Sequence, residues 1–425
     1  MADRSDRRFA AMHTKRHKSQ QSTSSLSNSH SFTVGDQKDD GLQHKLRPHN
    51  KRQRSMSVPH IVMPQMESPK MIKTNSSWSI IHQTKIKEFN EPCYFNDGNE
   101  EYIYFICSSS QNADRQCWKY NIRHNQYKTF VRYPEHLRLT NFTVSCDPHG
   151  QRLFILGGNT EFAELMNLNY CEREETEYVW NEKNAQIYCD AKYNKEKHDK
   201  HKLFPLGDDA ASIFIGREIC ELHVIGGKLT NCHLRWDERE TKMLRVHNFE
   251  FSGIQGHQLL YLHNERSAAF KSKLLLLGGY AKYPSSRTAG YEYSDVILCC
   301  DVVESSQASY SWSPLNSSLS PLCKQQNNVV TLPIKAAYFG AVVYKNLFLI
   351  IFGGRGVNNQ KLDSVWYLNI ISMKWTKSAI KCPMKSRGYY AIMTDNEVIH
   401  LFQRDSIKHF CIQAKDIVSD KELNI

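Results

Sequence analysis

The sequence predicts an all-β fold made of repeated sheet units, and three observations indicate it. β-Branched and aromatic residues dominate the short apolar runs of the 425-residue chain, and turn residues separate these runs. No apolar period of about 3.6 residues competes with this pattern. Runs also end repeatedly in paired glycines: Gly157-Gly158, Gly226-Gly227, Gly278-Gly279 and Gly353-Gly354. Paired glycines at a strand end allow a positive φ and a close backbone approach.

The glycine pairs recur at a constant spacing. Degenerate copies occur at Ser108-Ser109 and Gln403-Arg404, so residues 108, 157, 226, 278, 353 and 403 give steps of 49, 69, 52, 75 and 50. Three steps lie close to 50, and the other two exceed it by 19 and 25. Six units of about 50 residues plus these 44 need about 344 residues, and the chain from Trp78 has 348. The repeat therefore fills residues 76–425.

The fifth unit shows the strands that each unit contains. Its first strand is predicted over Ala337–Tyr344 and its second over Leu347–Phe352, which ends at the glycine pair. Ser364–Ile370 predicts a third strand, and a fourth begins at Lys374. Each unit is thus expected to be a sheet of four strands in chain order.

The glycine pair that closes an aliphatic strand, followed by a Tyr and a Trp, resembles the kelch repeat. Tyr367 and Trp375 stand where that family has its aromatic pair, and Trp312 matches the Trp of the preceding unit. The resemblance covers about residues 78–425 and implies a six-bladed kelch-type β-propeller, with four antiparallel strands in each blade. Copper oxidases similar to galactose oxidase need two His and two Tyr ligands. No such set can be carried over, so we expect no metal or cofactor.

The last unit lacks a Trp strand at its C-terminal end. Ser77–Ile81, which contains Trp78, resembles the fourth strands of the other units but precedes the first one. We therefore expect the strand near Trp78 to pair with the C-terminal blade. Closure of this kind removes the open sheet edges that invite aggregation.

Residues 1–75 differ in composition from the repeat. They hold 14 Lys+Arg and 6 Asp+Glu, a net charge of +8, whereas the rest holds 55 − 14 = 41 against 44 − 6 = 38, a net of +3. A basic, Ser-rich segment with few aromatic residues predicts a disordered tail. Within it, Arg52–Pro59 predicts phosphorylation of Ser57 or Ser55 by basophilic kinases. The same motif resembles the phosphoserine peptide that fourteen-three-three adaptors bind.

The connections after strands two and four leave a four-stranded meander at the same end, and most inserted residues fall there. Loops on a rigid frame commonly carry recognition. We expect the partner-binding residues at this end to be Arg115, Lys228, Tyr283, Arg287, Arg355 and Asn358. Arginines can hold an acidic or phosphorylated peptide by bidentate pairing. The acidic run Glu172–Glu177 is expected beside them, with the third strand of the second unit at Leu165–Leu168 or Gln186–Asp190.

The sequence favours a non-enzymatic protein–protein interaction scaffold of unknown protein partner, and two alternatives stay open. One is an oxidase-like kelch-type propeller enzyme, and the other is a nucleic-acid or membrane binder that acts through the basic tail. Thirteen cysteines without a Cys-x-x-Cys pair or an export signal favour reduced thiols and a cytoplasmic location. The basic cluster Lys51–Arg54 leaves the nucleus open. No apolar run approaches the ~20 residues of a transmembrane helix.

Overall fold

A computed structural model describes residues 71–73, 78–81, 92–96, 100–106, 116–132, 142–146, 152–157, 168–174, 177–181, 209–215, 221–227, 232–237, 242–251, 253–263, 272–282, 290–302, 310–316, 328–404, 408–419 and 422. All belong to one compact unit, Gln65–Ile425. Their regular structure is β-strand with two short 3₁₀ turns, Val357–Asn359 and Ala414–Asp416, so the all-β prediction is confirmed. Of the predicted tail, only Met71–Lys73 is among the described residues, and it forms a strand. None of the described segments is a helix suited to crossing a membrane.

The first part of the chain forms two short strands and then three sheets of four strands. The short strands are β1 (Met71–Lys73) and β2 (Ser79–Ile81). Sheet one contains β3 (Cys93–Asn96), β4 (Glu101–Ile106), β5 (Gln116–Asn121) and β6 (Gln126–Arg132). Sheet two contains β7 (Phe142–Cys146), β8 (Arg152–Gly157), β9 (Leu168–Glu174) and β10 (Glu177–Asn181). Sheet three contains β11 (Ala211–Ile215), β12 (Glu221–Ile225), β13 (Cys232–Asp237) and β14 (Lys242–Asn248).

The second part forms three further large sheets and one small one. The small sheet joins β15 (Ile254–Gln255), β18 (Tyr280–Ala281) and β19 (Glu292–Tyr293). Sheet four contains β16 (Gln258–Leu262), β17 (Lys273–Leu277), β20 (Ile297–Asp301) and β21 (Trp312–Pro314). Sheet five contains β22 (Ala336–Ala337), β23 (Gly340–Tyr344), β24 (Phe348–Gly356), β25 (Lys361–Asn369) and β26 (Lys374–Ser386). Sheet six contains β27 (Tyr389–Met393), β28 (Val398–Gln403) and β29 (His409–Gln413), with β2 and β1 beyond them.

The first strands of the large sheets contact one another in sequence. β3 contacts β7, β7 contacts β11, β11 contacts β16, β16 contacts β23, and β23 contacts β27. β27 in turn contacts β3, which returns the series to its start. Among the described residues, apolar side chains fill the spaces between sheets three and four, four and five, five and six, and six and one. Leu275 and Leu349, for example, pack in one cluster between sheets four and five.

The two ends of the folded chain meet in sheet six. β2 pairs antiparallel with β29, where Ser79 lies opposite Cys411 and Ile81 opposite His409. Trp78 precedes this strand and is buried, and its Nε1 donates a hydrogen bond of 2.7 Å to the carbonyl of Lys381 in sheet five. Residues about 300 positions apart in the sequence are therefore direct neighbours.

Tryptophans of the fourth strands link sheets four and six to the preceding sheet, and sheet five to the segment that precedes it. Trp312 Nε1 donates to His233 Nδ1 of sheet three at 3.2 Å. Trp375 Nε1 donates to the carbonyl of Thr331, which precedes sheet five, at 2.7 Å. Trp78 makes the equivalent bond from sheet six to sheet five. The third-strand Tyr367 is buried edge-on against Phe348 within sheet five.

Sheet two corrects the predicted register. Its third strand is β9, Leu168–Glu174, which is neither Gln186–Asp190 nor, apart from its first residue, Leu165–Leu168. The β-forming residues Tyr170 and Cys171, then Tyr178–Trp180, form the hairpin despite the glutamates between them. The described glutamates of the acidic run, Glu172, Glu174 and Glu177, thus lie at the end of β9 and the start of β10, at the opposite end of the sheet from the expected binding loops. The 19-residue surplus falls mainly after strand four, within 182–210.

Sheet five also differs from its predicted boundaries. The first strand is interrupted at Tyr338, so β22 and β23 replace the single strand Ala337–Tyr344. The third strand begins three residues earlier than Ser364, and the fourth continues to Ser386 through two register shifts. Such bulges let one long strand follow a twisted sheet.

Candidate functional site

The glycine pairs fix the geometry where the second strands approach the next sheet. β12 and β17 end just before their pairs, whereas β24 does not end at Phe352 as predicted but continues through Gly353 and Gly354 to Gly356. The first glycine has a φ of +70° in Gly226, +53° in Gly278 and +51° in Gly353, and the second glycine of each pair is also left-handed. A Cβ on Gly353 would lie 2.7 Å from the carbonyl oxygen of Leu362 and 2.6 Å from the Tyr389 ring. The glycines therefore let the start of the next sheet approach closely. Gly157 ends β8, and Gly158 is not among the described residues.

A second left-handed position lies two residues before the first strands of three sheets. Asp209 precedes sheet three with a φ of +65°, Gly256 precedes sheet four with +58°, and Tyr338 precedes β23 with +58°. An aromatic residue in this region is strained by roughly 1–2 kcal/mol relative to glycine. Tyr338 is held there because its hydroxyl donates to Asp209 Oδ2 at 3.2 Å, while its ring covers Gly256.

Arg404 joins the same cluster from sheet six. It stands where other units have the second glycine of the pair, and its guanidinium lies 4.9 Å from the Tyr338 ring centroid and 4.2 Å from that of Tyr390. Its Nη1 is 3.5 Å from Asp209 Oδ1. Gly388 makes room for it, because a Cβ there would meet Arg404 Cδ at 2.6 Å. We name Asp209, His257, Tyr338, Tyr390 and Arg404 the Tyr338 cluster.

His257 supplies a buried imidazole to the cluster. Its Nε2 lies 3.1 Å from the carbonyl oxygen of Ile225, so Nε2 carries the proton and Nδ1 is an acceptor in the neutral ring. Nδ1 is buried without a hydrogen-bond partner among the described residues. Burial lowers the pKa of His257 to about 4, so the ring is neutral at pH 7. Burial, followed by the charge of Asp209, raises the pKa of Tyr338, which therefore remains a hydrogen-bond donor.

Arg355 lies near the end of β24, the second strand of sheet five, and Asn358 lies in the 3₁₀ turn that follows it. Arg355 Nε donates to Asn359 Oδ1 at 2.7 Å, and Tyr293 of the small sheet donates to the same oxygen at 3.1 Å. Asn358 and Asn359 are both left-handed and exposed. The 3₁₀ turn is therefore held in one conformation by contacts from two sheets. We name Arg355, Asn358, Asn359 and Tyr293 the Arg355 turn.

A stack of tyrosines continues from the Arg355 turn. Tyr280 stacks on Tyr291 with ring centroids 5.2 Å apart, and its ring is 4.9 Å from that of Tyr293. All three rings are partly exposed. They belong to the connection between strands two and three of sheet four. The end of the sheets that carries these connections thus presents aromatic surface beside a guanidinium.

The remaining candidate residues have no described position. Arg115, Lys228, Tyr283 and Arg287 lie outside the described residues, as do Ser55 and Ser57 in the tail. Among the described residues, no group of three or more His, Cys, Asp or Glu is placed to hold a metal ion.

Sequence reasoning missed Asp209, Tyr338 and Arg404. A signal existed for Arg404, because a long cation replaces glycine at a repeated position in Gln403-Arg404. Tyr338 occupies the position that Gly256 and Gly388 fill in the flanking sheets, so an aromatic residue there was equally unusual. Asp209 follows a long insertion and had no comparable signal.

Comparison with known proteins gives a limited result. No family model matches the chain, and no curated protein matches it. Among solved structures, one described as "Structure of YjhT" matches with a TM-score of 0.47 and 13% sequence identity, covering 76% of this chain and 93% of that chain.

Proposed function

We propose that residues 76–425 form a six-bladed kelch-type β-propeller closed by the strand near Trp78. The contacts of the first strands support this proposal, because they run through the six large sheets and return from β27 to β3. The pairing of β2 with β29 supports closure between the two ends of the chain. The left-handed glycine pairs at equivalent positions of sheets three, four and five support the kelch-type repeat. The large sheets are called blades below.

We propose that the propeller is a non-enzymatic interaction scaffold that binds a protein through the connections after strands two and four of each blade. The observation that carries this proposal is the Arg355 turn, which is exposed yet fixed by bonds from Arg355 and Tyr293 to Asn359. A fixed turn loses little conformational entropy when it binds. Its neighbours are tyrosines, which are enriched at interface hot spots together with arginine.

The chemistry of the turn favours an acidic or phosphorylated peptide. Arg355 uses its Nε to hold Asn359, so its terminal nitrogens can face an incoming carboxylate or phosphate. The partly exposed rings of Tyr280 and Tyr291 offer apolar area next to this charge. The tyrosines follow the second strand of blade four, and the Arg355 turn lies at the end of the second strand of blade five. Arg404 of the Tyr338 cluster likewise follows the second strand of blade six.

Site-specific photo-crosslinking tests the proposed binding face. The full chain with p-benzoylphenylalanine in place of the exposed Asn358 should form an adduct with its partner in extracts of its own cells. The matched control places the crosslinker at Lys374, which is exposed at the opposite end of the same blade. Adducts at position 374 but not at 358 would contradict the proposed face, and so would adducts at neither position.

We further propose that the tail is regulated by phosphorylation at Ser57. Arginines precede this serine by three and five residues, and a proline follows two residues after it. Phosphate would add about −1.5 to −2 charges to a basic segment. Phosphorylated full chain should bind a fourteen-three-three adaptor in calorimetry, whereas a Ser57→Ala chain treated with the same kinase should not. Equal binding by both would refute the assignment.

The Tyr338 cluster favours a second candidate, an enzyme that binds a small molecule. Strained residues and buried titratable groups concentrate at functional sites, and this cluster has both in Tyr338 and His257. Arg404 and Asp209 already satisfy each other's charge, however, which favours a structural role. Stoichiometric copper with oxidase turnover in the purified chain would support an enzyme and exclude the non-enzymatic scaffold.

A further inference from the structure

An uninterrupted basic segment covers the outer part of blade five. No aspartate or glutamate occurs between Ser364 and Thr394, whereas four lysines and Arg387 do. The lysines at 374, 377, 381 and 385 are all exposed on β26. Among the described residues, none of the four forms an ion pair. The segment is therefore a surface of one charge in a domain that is otherwise nearly balanced.

Exposed apolar side chains coincide with one end of this segment. Only three large apolar residues in the described part of the chain are strongly exposed: Val329 at 56%, Val357 at 51% and Met384 at 40%. Val357 begins the 3₁₀ turn after β24, and Met384 lies near the end of β26. Both belong to the end of blade five that carries the proposed binding connections.

Strand register places basic residues on the strands that carry Met384 and that follow Val357. Arg355 lies opposite Lys361, and Leu362, the next residue, lies opposite Ser386. Lys385 and Arg387 flank Ser386, the last residue of β26. Lys361, which precedes Leu362, therefore lies on the adjacent strand near both. Lys408 of blade six places its Nζ 3.0 Å from Met384 Sδ. We name Val357, Met384, Lys361, Lys385, Arg387 and Lys408 the Met384 patch.

We propose that the Met384 patch docks an extended acidic peptide segment that carries aliphatic side chains. This inference rests on the proposed scaffold function and names the partner's chemistry. The basic side chains would pair with the carboxylates of the peptide, and Val357 and Met384 would bury its aliphatic side chains. Methionine adapts its shape to varied apolar partners, which suits such an anchor.

The composition of the patch favours a peptide over other polyanions. Single-stranded nucleic acid is typically held by exposed aromatic rings interleaved with a basic groove. Here the partly exposed tyrosines lie beside the Arg355 turn, whereas the basic side chains of the patch are on β25, on or directly after β26, and in the segment before β29. Peripheral membrane binding uses a broad apolar face that enters the headgroup region, and this patch offers two separate side chains. A peptide in which acidic residues alternate with aliphatic ones would match both the basic and the apolar side chains of the patch.

Fluorescence anisotropy of the full chain tests the inference. The probe is a labelled Glu-Glu-Leu-Glu-Glu-Leu-Glu-Glu peptide, compared with an all-glutamate peptide of the same length. A thymidine oligonucleotide and phosphatidylserine vesicles serve as competitors. The double variant Lys385→Glu/Arg387→Glu should weaken binding of the leucine-containing peptide about tenfold or more, and Met384→Ser by several-fold. The control Lys374→Glu/Lys415→Glu carries the same charge change at exposed positions outside the patch and should alter affinity less than about twofold.

Each outcome bears on the patch separately from the scaffold function. Equal weakening by both double variants would mean that the overall charge of the chain, and not the patch, governs peptide binding, and it would overturn the inference. Tighter binding of the oligonucleotide or vesicles, or no preference for the leucine-containing peptide, would overturn it too. If crosslinking at Asn358 captures a partner and this capture survives Lys385→Glu/Arg387→Glu, the patch assignment fails while the scaffold function stands. Circular dichroism of every variant excludes unfolding as the cause.

Discussion

Buried histidines occur in pairs at equivalent positions of blades three and six. His223 Nδ1 lies 2.7 Å from His233 Nε2, and His400 Nδ1 lies 2.7 Å from His409 Nε2. In blade three the proton positions follow from the neighbours. Trp312 can only donate, so His233 accepts at Nδ1 and donates from Nε2 to His223. His223 is then left to donate from its own Nε2 to Glu221, at 3.4 Å.

The pair in blade six has no such carboxylate among the described residues. Tyr127 bonds His409 Nδ1 at 2.7 Å, and His400 Nε2 is buried without a described partner. The titratable groups packed around the pair are Tyr120, Tyr127 and Cys411, and burial raises the pKa of each. Burial lowers the pKa of His400 to about 3, and it also lowers that of His409. Both rings are therefore neutral in the folded chain.

This pair predicts acid-sensitive stability. An unfolded histidine binds a proton near pH 6.5, whereas the folded His400 does not until about pH 3. Stability is thus complete above about pH 6.5 and falls as the pH falls, by up to about 1.4 kcal/mol per pH unit for each such histidine. His400→Phe should remove about one proton from the difference in proton binding between the unfolded and folded chain. The slope should then be shallower by up to about 1.4 kcal/mol per pH unit. Urea unfolding at several values between pH 6.5 and 5 measures the slope, and an unchanged slope would contradict the assignment.

Gly353 provides a second prediction for a single residue. An alanine there would combine a φ of +51° with a Cβ 2.7 Å from a backbone oxygen. We expect Gly353→Ala to lower the free energy of unfolding by about 1–3 kcal/mol. Gly290 is the matched control, because a Cβ there meets nothing within 4 Å. Gly290→Ala should stay within about 0.5 kcal/mol of the original chain in the same urea titration.

Among the elements, the strand that begins after Trp78 holds two blades together. Trp78 is buried against Phe352 at 6.1 Å between ring centroids and bonds to Lys381 of blade five. Trp78→Ala should cost about 3–5 kcal/mol of unfolding free energy, and Trp78→Phe about 1–3 kcal/mol because the hydrogen bond and part of the ring volume are lost. Chemical denaturation measures both. Loss of equal size in the two variants would show that packing of the ring contributes little.

Removal of the whole element predicts a different defect. A chain that starts at residue 82 would expose the edge of β29, which normally pairs with β2. Open edges recruit strands of other molecules, so we expect this chain to oligomerise. A chain that starts at residue 71 keeps β1 and β2 and should remain monodisperse if the full chain is. Light scattering during size-exclusion chromatography compares the two, and equal behaviour would contradict the role given to β2.

For the whole molecule, the sequence predicted the all-β class and the repeating sheets because the glycine pairs and aromatic residues recur at fixed spacing. The register of blade two could not be predicted, since glutamates at 172, 174 and 177 hide a hairpin that neighbouring aromatic residues form. Arg355 and Asn358 were predicted as binding residues because they lie in the connection after a second strand, and their role in binding stays a prediction. The Tyr338 cluster was missed because its bonds join residues between 14 and 195 positions apart, which local patterns do not reveal.

Because synthesis runs from the N-terminus, the two strands that pair across sheet six are made at different times. The strand at Ser79–Ile81 leaves the ribosome about 330 residues before its partner strand, His409–Gln413. At roughly 5–20 residues per second, the wait lasts on the order of tens of seconds. Throughout that time the nascent chain carries an unpaired β-strand, the kind of segment that pairs with strands of other chains unless it is shielded.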